Sequence, residues 1–285
     1  MDWTALMPEL HRPETLAEAC SLLASLDNPM VYGGGTAIQI LLKQGILFAD
    51  NFVDLSRIPR LREITVDHNG LIVGPMVTVR RMETDERVRA TSPLAAAAYH
   101  HVANPRVRNT ASVGGNIAHG DYRLDPPTAL LVLDATIEAA STKGTRRIPV
   151  REFFVDFQQT ALAPNEMVTA VCIPTQPTGS GRFVKYSSLS ENDWPCASAA
   201  VLVADSGGRR EVRIGLGALA PVPRHVSFDA TGLSDQEAVD AAIAAVEPAL
   251  DPIPDVRGSV AYKRRLGRVA VEDAVRSAWK DLADG

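Results

Sequence analysis

Two glycine-rich segments, about 80 residues apart, constrain this chain more than any other feature. They are Tyr32-Gly33-Gly34-Gly35-Thr36 and Ser112-Val113-Gly114-Gly115-Asn116, and each follows a short apolar segment. Because glycine has no Cβ, the backbone N–H groups of such turns can approach an anion closely. The pair of turns therefore predicts two loops that hold one pyrophosphate group between them.

Composition and charge narrow the classes of protein that are compatible with the sequence. The 285 residues are 46% hydrophobic and 22% charged, which is enough for two domains with their own cores. The formal net charge is -5, and the lysines and arginines are scattered, so the basic patch of a nucleic-acid binder is missing. The N-terminus lacks the pattern of a signal peptide, and the aliphatic runs are too short to span a bilayer. We expect a cytoplasmic protein without membrane insertion.

The cysteines predict no metal centre in this chain. Cys20, Cys172 and Cys196 are isolated, without the C-x-x-C spacing of zinc or iron–sulfur sites. No constellation of residues suitable for general-base catalysis is found either. We therefore predict no catalytic residues and no metal ligands here.

Helix and strand patterns alternate around the first glycine turn. Thr15 and Glu18 form a T-x-x-E capping box before apolar residues at helical spacing, which predicts a first helix. Asn28-Pro29 ends this helix, and Gly45 ends a second helix that follows the glycine turn. The predicted order is helix, strand 30–32, glycine turn, helix 38–45 and strand 52–55.

The rest of the chain predicts an α+β fold, because helices and strands mix without strict βαβ alternation. Thr175–Gly181 is the best candidate for a linker, since its proline, glycines and small polar residues offer no face to bury. We predict a first domain of residues 1–175, with subdomains of about 1–55 and 56–175, and a second domain of residues 176–285. The remaining predicted strands are 71–74, 136–140, 167–173, 182–186, 197–203 and 211–219, and the remaining helices are 93–102, one opening at Pro126-Pro127, 234–245 and 260–282.

The first glycine turn has two other interpretations. Gly33-x-Gly35 followed by Asp54 resembles half of a nicotinamide-binding Rossmann fingerprint, with Asp54 as the ribose-binding acid. Ile38 occupies the third glycine position, however, and the strand alternation of a doubly wound sheet does not continue. The triple glycine can also be a purely structural turn.

Several motifs together resemble a known family. Tyr32–Thr36 is similar to its A-G-G-T turn, and Val107-Arg108-Asn109 followed by Ala111–Ala118 is similar to its R-N-x-x-T/S-x-G-G-N-I-A motif. Asp125 stands at the usual interval after this motif. The family is the FAD-binding medium subunit of molybdenum hydroxylases, the group that includes xanthine dehydrogenase and carbon monoxide dehydrogenase.

The resemblance extends over nearly the whole chain. Arg12–Ala19 is similar to an R-P-x-T-L-x-E-A helix, and Arg151–Phe154 and Tyr262–Leu266 match later segments. It implies an FAD-binding PCMH-type domain of two α/β subdomains, followed by a smaller α+β domain with an antiparallel sheet and helices. Tyr186–Glu191 departs from the family pattern because it lacks the arginine pair that commonly follows the lysine.

The resemblance also implies which residues contact the FAD. The glycine loops would hold the pyrophosphate, and Asp125 would bind the ribityl hydroxyls. Three of these positions have simpler alternatives: a surface-loop histidine for His119, a helix N-cap for Asp125 and a core residue for Val102. Trp194, expected over one face of the isoalloxazine ring, can instead be an anchor between domains. The implied set is Gly33, Gly34, Gly35, Thr36, Ala37, Ile38, Val102, Ala111, Ser112, Gly115, Asn116, His119, Leu124, Asp125, Val168, Lys185 and Trp194.

The function implied by the resemblance is electron transfer within a larger complex. Electrons would pass from a large molybdenum–pterin subunit through two [2Fe-2S] clusters on a small iron–sulfur subunit to FAD on this chain, and then to an external acceptor. The expected assembly is a dimer of heterotrimers. A stand-alone flavin-dependent oxidoreductase and a scaffold subunit without flavin are the alternatives.

Overall fold

The computed structural model describes residues 8–284, which begin with a small sheet around the first glycine turn. Both β1 and β2 pair in parallel with β3, which lies between them. Helix α1 packs its apolar face, including Cys20 and Leu23, against this sheet and against neighbouring parts of the chain. The elements are β1 (Glu9–His11), α1 (Leu16–Ser25), β2 (Pro29–Tyr32), α2 (Ile38–Lys43) and β3 (Asn51–Asp54).

An antiparallel sheet of five strands forms the second unit. Strand β10 lies at its centre, in the order β4-β5-β10-β6-β7, although it is the last of these strands in the sequence. A separate two-stranded hairpin, β8-β9, follows helix α9. The strands are β4 (Ile64–Asp67), β5 (Gly70–Val73), β6 (Thr136–Ser141), β7 (Gly144–Pro149), β8 (Phe154–Asp156), β9 (Gln159–Thr160) and β10 (Met167–Pro174), and the helices are α3 (Val79–Thr84), α4 (Glu86–Thr91), α5 (Pro93–His100), α6 (Pro105–Arg108), α7 (Val113–His119), α8 (Pro126–Val132) and α9 (Val150–Phe153).

The last part of the chain is an antiparallel meander of four strands covered by two helices. The strands pair in chain order, and the Ser234–Glu237 capping box predicted from the sequence is present at the start of α10. The elements are β11 (Gly179–Tyr186), β12 (Ala197–Ser206), β13 (Arg209–Gly217), β14 (Arg224–Asp229), α10 (Asp235–Val246) and α11 (Val260–Asp284).

Strand β12 of the four-stranded sheet is buried on both faces, which joins the last part of the chain to the middle. Ala200 and Leu202 of β12 belong to the same apolar cluster as the residues of α5 and α8. Val201 and Val203, on the opposite face, pack with residues of α10 and α11. Because neighbouring side chains of a strand point to opposite faces, β12 reads as a continuous apolar run.

The structure confirms the α+β class and corrects two local predictions, the capping box of α1 and the linker. Thr15 caps α1 by accepting the Glu18 N–H at 3.2 Å, but the Glu18 carboxylate accepts from Glu14 N–H rather than from Thr15. The segment expected to be linker up to Gly181 is strand from Gly179 onward. Gly179 has φ +141 and a Cβ there would run into the carbonyl of Val203, so the glycine serves close strand pairing. Within residues 8–284, no helix is both long and apolar enough to cross a membrane.

Candidate functional site

A cavity of about 670 Å³ lies where the three parts of the chain meet. Its volume falls in the middle of the range for small-molecule and cofactor sites. Every residue that the resemblance implies at the FAD lines this one cavity, although these residues span positions 33 to 194. The structure therefore brings together Gly33, Gly34, Gly35, Thr36, Ala37, Ile38, Val102, Ala111, Ser112, Gly115, Asn116, His119, Leu124, Asp125, Val168, Lys185 and Trp194.

The first glycine loop connects β2 to α2 and presents unbonded backbone N–H groups. Gly35 has φ +71, a left-handed conformation that glycine adopts without steric cost. The N–H groups of residues 35–38 donate no hydrogen bond to any acceptor within the described chain. The loop therefore offers consecutive donors at the cavity wall, as an anionic ligand requires.

The second glycine loop leads into α7 and is fixed to the chain segment that precedes α3. Ser112 is the N-cap of α7, and its hydroxyl accepts the Gly115 N–H at 3.2 Å. The Gly114 N–H is already used, because it donates to the carbonyl of Pro75 at 2.8 Å. The hydroxyl hydrogen of Ser112 and the side chain of Asn116 are therefore the polar groups of this loop that remain for a ligand.

The two glycine loops touch each other. The Gly34 N–H also donates to the Ser112 hydroxyl, at 3.4 Å, so one side chain joins both loops. A Cβ at Gly33 would lie 2.6 Å from the same hydroxyl oxygen, and a Cβ at Gly34 would collide with the carbonyl of Thr110. The glycines are therefore needed for the close approach of the loops. The triple glycine thus has a structural role as well, because this close approach forms the site.

Asp125 and Lys185 form a buried ion pair at the cavity. Lys185 Nζ lies 2.8 Å from Asp125 Oδ2 and donates a second hydrogen bond to the carbonyl of His101 at 2.9 Å. Burial raises the pKa of Asp125 to about 6, although the Lys185 ammonium opposes this shift. Asp125 occupies the N-cap position of α8, as the alternative had it, but its side chain makes no capping hydrogen bond.

Two buried oxygen atoms of the cavity have no hydrogen-bond partner in the described part of the chain. They are Oδ1 of Asn116 and Oδ1 of Asp125. An unsatisfied buried acceptor costs about 1–3 kcal/mol, so such atoms in a cavity indicate a ligand with hydroxyl or N–H donors. The polyol and ring N–H donors of FAD suit these two acceptors, and its pyrophosphate suits the free N–H groups of the first loop.

Trp194, Val168 and Arg123 also line the cavity. Trp194 is half-buried in the segment between β11 and β12, and the Arg123 guanidinium carbon lies 4.9 Å from its ring centroid. Asp193 is bound through both carboxylate oxygens by Arg257, at 2.8 and 3.1 Å. Trp194 thus lies in the cavity wall with Arg123 against its ring, and the residue before it is fixed by Arg257.

The wall at Val102 is held from behind by a buried ion pair. Arg108 Nε lies 2.9 Å from Glu83 Oε2, both side chains are 7% exposed, and Arg108 also donates to the carbonyls of Val102 and Ala103. Burial raises the pKa of Glu83, but hydrogen bonds from His100 and other groups and the Arg108 charge bring it below its usual value. Val102 is therefore half-buried cavity wall that packs against the core.

His119 and Leu124 complete the predicted residues. His119 is the last residue of α7 and is half-buried at the cavity, so it is not a surface-loop histidine. Burial lowers the pKa of His119 below its usual value, although the nearby Asp121 carboxylate opposes this shift. Leu124 is a buried apolar contact beside Asp125.

Several cavity residues lie outside the motifs and were missed by sequence reasoning. Their side chains are mostly apolar or distant in sequence, and only the alternation of the strands that carry Val31 and Met167 gave a signal. Arg123 had no signal at all, because an arginine in a polar loop is ordinary. The missed residues include Met30, Val31, Leu41, Leu47, Met76, Ala103, Arg123, Gln158, Leu162, Met167, Asn192 and Asp193.

The nicotinamide interpretation is wrong for this chain. The sheet that follows the first glycine turn has three strands, and the next sheet is antiparallel. The Asp54 carboxylate caps the turn that follows β3, accepting the Ser56 N–H at 2.9 Å, and it is not among the residues that line the cavity. A dinucleotide-binding acid would have to face the ligand.

Family models match most of the chain. Residues 6–176 match the FAD binding domain in molybdopterin dehydrogenase, and residues 182–278 match the CO dehydrogenase flavoprotein C-terminal domain. The chain therefore belongs to the family of FAD-binding subunits of molybdopterin dehydrogenases. It is an FAD-binding electron-transfer subunit of the oxidoreductase class.

Individual relatives agree with this assignment. The carbon monoxide dehydrogenase medium chain of Hydrogenophaga pseudoflava is 30% identical over 96% of this chain and 98% of its own length. The xanthine dehydrogenase FAD-binding subunit of Escherichia coli O157:H7 is 33% identical over 75% of this chain and 74% of its own. Among solved structures, reconstituted CO dehydrogenase from Oligotropha carboxidovorans matches with a TM-score of 0.89 and 28% identity, over 95% of this chain and 97% of that chain.

Proposed function

We propose that this chain is the FAD-carrying electron-transfer subunit of a molybdenum-dependent dehydrogenase complex. Its partners would be a large molybdenum–pterin subunit, on which the substrate is oxidised, and a small iron–sulfur subunit, in a cytoplasmic dimer of heterotrimers. Bound FAD would supply electron transfer from [2Fe-2S] clusters of the small subunit to an external acceptor. The names of the relatives support this proposal, since they are medium or FAD-binding chains of dehydrogenases.

The observation that carries the proposal is the contact between the two glycine loops. The loops lie 78 residues apart in sequence, as measured from Gly34 to Ser112, yet they share one hydroxyl at the cavity wall. The consecutive free N–H groups of residues 35–38 lie beside it. We propose that these donors hold the FAD pyrophosphate, because backbone N–H groups satisfy phosphate oxygens without a metal ion or lysine.

The other predicted residues would contact different parts of the FAD. We propose that Asp125 Oδ1 accepts a ribityl hydroxyl, since its partner oxygen is already occupied by Lys185. Asn116 Oδ1 is a second acceptor for a ligand donor. Trp194 and Val168 would shield the flavin ring from water, and Val102 would line the pocket of the adenine.

The domain limits are part of the same proposal. We propose a flavin-binding domain of residues 1–175, with subdomains of about 1–55 and 56–175, and a second domain of residues 176–285. Lys185 and Trp194 then belong to the second domain while the glycine loops belong to the first. The cofactor would lie between the domains and join them.

The test is to produce the chain with and without the proteins encoded beside it. The yellow absorption of FAD, the metal content and the subunit composition are then measured on the purified material. One FAD on this chain, with molybdenum and iron only on larger assemblies, is the expected result. A colourless complex would support the scaffold alternative, and substrate oxidation by the isolated chain would support the stand-alone enzyme.

A further inference from the structure

Arg123 is an arginine at the cavity that none of the motifs includes. Its fork is held by Asp121, with Nε at 2.9 Å from Oδ1 and Nη2 at 2.7 Å from Oδ2, and its own backbone N–H also binds Oδ1 at 2.9 Å. The Asp121 side chain is only 1% exposed. A bidentate Arg–carboxylate contact fixes the plane of the guanidinium as well as its position. Arg123 is therefore a preorganised platform and not a mobile surface side chain.

The Arg123 guanidinium lies over the ring of Trp194. The Arg123 guanidinium carbon lies 4.9 Å from the Trp194 ring centroid, inside the range of a cation–π contact. It lies 5.4 Å from the ring of Tyr122 as well. The indole thus rests on a group whose orientation is set by Asp121, independently of any ligand.

The segment that carries Trp194 has few other supports. Residues 188–192 are exposed and contain no helix or strand. Downstream, Arg257 binds Asp193 at 2.8 and 3.1 Å and so anchors the backbone just before the indole. Arg123 holds the ring, and Arg257 holds the chain, and the two arginines come from different halves of the molecule.

We propose that Arg123 is a positioning residue, which acts through Trp194 to fix the indole in the wall of the cavity. This inference rests on the proposed function, because the positioned indole is the one we place against FAD. Asp121 balances the charge of Arg123. We therefore expect the indole to be fixed by the planar guanidinium, which two hydrogen bonds hold in place, and not by the positive charge. Lysine keeps the charge but has neither the plane nor the fork, so it separates the two effects.

The first measurement uses the full chain without flavin. The fluorescence of Trp194 is obtained as the difference between a protein and its Trp194→Leu counterpart, and its quenching by acrylamide reports the mobility and access of the indole. We expect Arg123→Lys and Arg123→Gln to raise the quenching of Trp194 about equally, by roughly twofold or more. Asp121→Asn, which loosens the guanidinium, is expected to act in the same direction.

The second measurement is the dissociation constant of FAD in a double-mutant cycle. We expect Arg123→Lys to weaken FAD binding roughly tenfold in the wild-type background, of the order of a cation–π contact and an ordered side chain. In the Trp194→Leu background, the same substitution is expected to change binding less than about twofold, since its effect is transmitted by the indole.

The chain offers a matched control at a remote site. Arg210 is held by Asp205 at 3.0 Å, and its guanidinium carbon lies 5.2 Å from the ring of Trp279, which faces the other side of the last sheet. Arg210→Lys should leave the quenching of Trp194 and the affinity for FAD unchanged. This control shows whether loss of any Arg–Trp stack is enough to disturb the cavity.

The outcomes separate the inference from the proposed function. Wild-type quenching of Trp194 in Arg123→Lys, or equal weakening of FAD binding in both backgrounds, would overturn the positioning role while FAD binding itself stands. If Arg123→Lys behaves as wild type and Arg123→Gln does not, charge is responsible and the inference is wrong. Wild-type chain that retains no FAD would refute the proposed function, and the quenching measurement would still decide whether Arg123 fixes Trp194.

Discussion

Lys185 Nζ lies 2.8 Å from Asp125 Oδ2, and this ion pair joins the last sheet to the start of α8 at the cavity. The two side chains are 4% and 6% exposed, so water solvates neither charge well. Removing two ions from water costs free energy that their attraction recovers only with good geometry and further hydrogen bonds. Lys185 has such a bond to His101, whereas Asp125 Oδ1 has no partner in the described residues, which leaves it as the acceptor we assign to FAD.

Removing one member of this pair should destabilise the protein more than removing both. We expect Lys185→Met to lower the free energy of unfolding by about 3–5 kcal/mol, because a buried carboxylate is left without a cation. The double variant Lys185→Met, Asp125→Leu should lose markedly less. Urea denaturation of the flavin-free chain measures both values. A double variant whose loss equals the sum of the single losses would contradict this view of the pair.

The stability of the protein should fall in mild acid. Burial lowers the pKa of His101 and of His225 to about 4, against 6.5 in the unfolded chain. Between these values the unfolded state binds protons that the folded state does not, so the stabilisation is lost as pH falls from about 6.5 to about 4. His101→Gln and His225→Gln should each make the decline of the unfolding free energy shallower. A decline that is unchanged in the double variant would refute this origin.

The titration of Asp125 should stabilise the folded protein as the pH falls, over nearly the same pH range in which the two histidines destabilise it. Its pKa is raised to about 6 in the folded state from 3.8, so the folded protein takes up a proton first as the pH falls. This uptake favours the folded state between about pH 6 and pH 4. Asp125→Asn should therefore steepen the acid loss of stability, which a series of denaturation curves from pH 7 to pH 4 measures. A shallower loss in this variant would contradict the raised pKa.

The ion pair behind the cavity wall should matter more than the exposed pair beside it. Arg108→Met is expected to cost about 3–5 kcal/mol, because it leaves the buried Glu83 carboxylate without its buried cation. Arg80 also contacts Glu83, at 2.7 Å, but its side chain is 43% exposed. Arg80→Met should therefore cost no more than about 1 kcal/mol. Equal losses in the two variants would show that burial does not decide the strength of these pairs.

Local patterns predicted much of the fold and the positions of the loops. The glycine turns, the proline-led α8 and the alternating strands carry local physical reasons, and the structure contains them. The order of the five-stranded sheet was not predictable in this way, because its central strand, β10, is its last strand in sequence. Short strands such as β1 and β14 were missed, since their apolar content is too low to stand out.

The residues of the site were predictable one by one, but their contacts were not. Asp125 and Lys185 came from separate motifs, and nothing in the sequence indicated that they pair. Arg257 binds Asp193, 64 residues away, and Arg123 lies against Trp194, and both contacts depend on how distant segments pack. The segment around Gly179 was predicted to be a linker. Glycine occurs both in flexible linkers and where paired strands approach closely, and the sequence alone does not distinguish the two.

Substitutions in the two glycine loops can separate an effect on the stability of the fold from an effect on FAD binding. A Cβ at Gly34 would collide with the backbone of Thr110, whereas a Cβ at Gly115 would meet only the Ser112 hydroxyl, at 2.9 Å. A backbone carbonyl cannot move aside cheaply, whereas the Ser112 hydroxyl is the end of a side chain and needs to shift only slightly. Gly34→Ala should therefore separate the loops, lower the unfolding free energy by about 1–3 kcal/mol and abolish retention of FAD.

Gly115→Ala is the matched variant, and it should separate the two effects. Its position is exposed at the cavity, so the added methyl group occupies space that we assign to the ligand. The unfolding free energy of the flavin-free chain should change by less than about 0.5 kcal/mol, while FAD binding weakens, because only the ligand meets the new methyl group. Thermal denaturation and flavin titration of both variants provide the measurements. If Gly34→Ala retains FAD at full stoichiometry, the two loops do not need their close contact, and the pyrophosphate must be bound elsewhere.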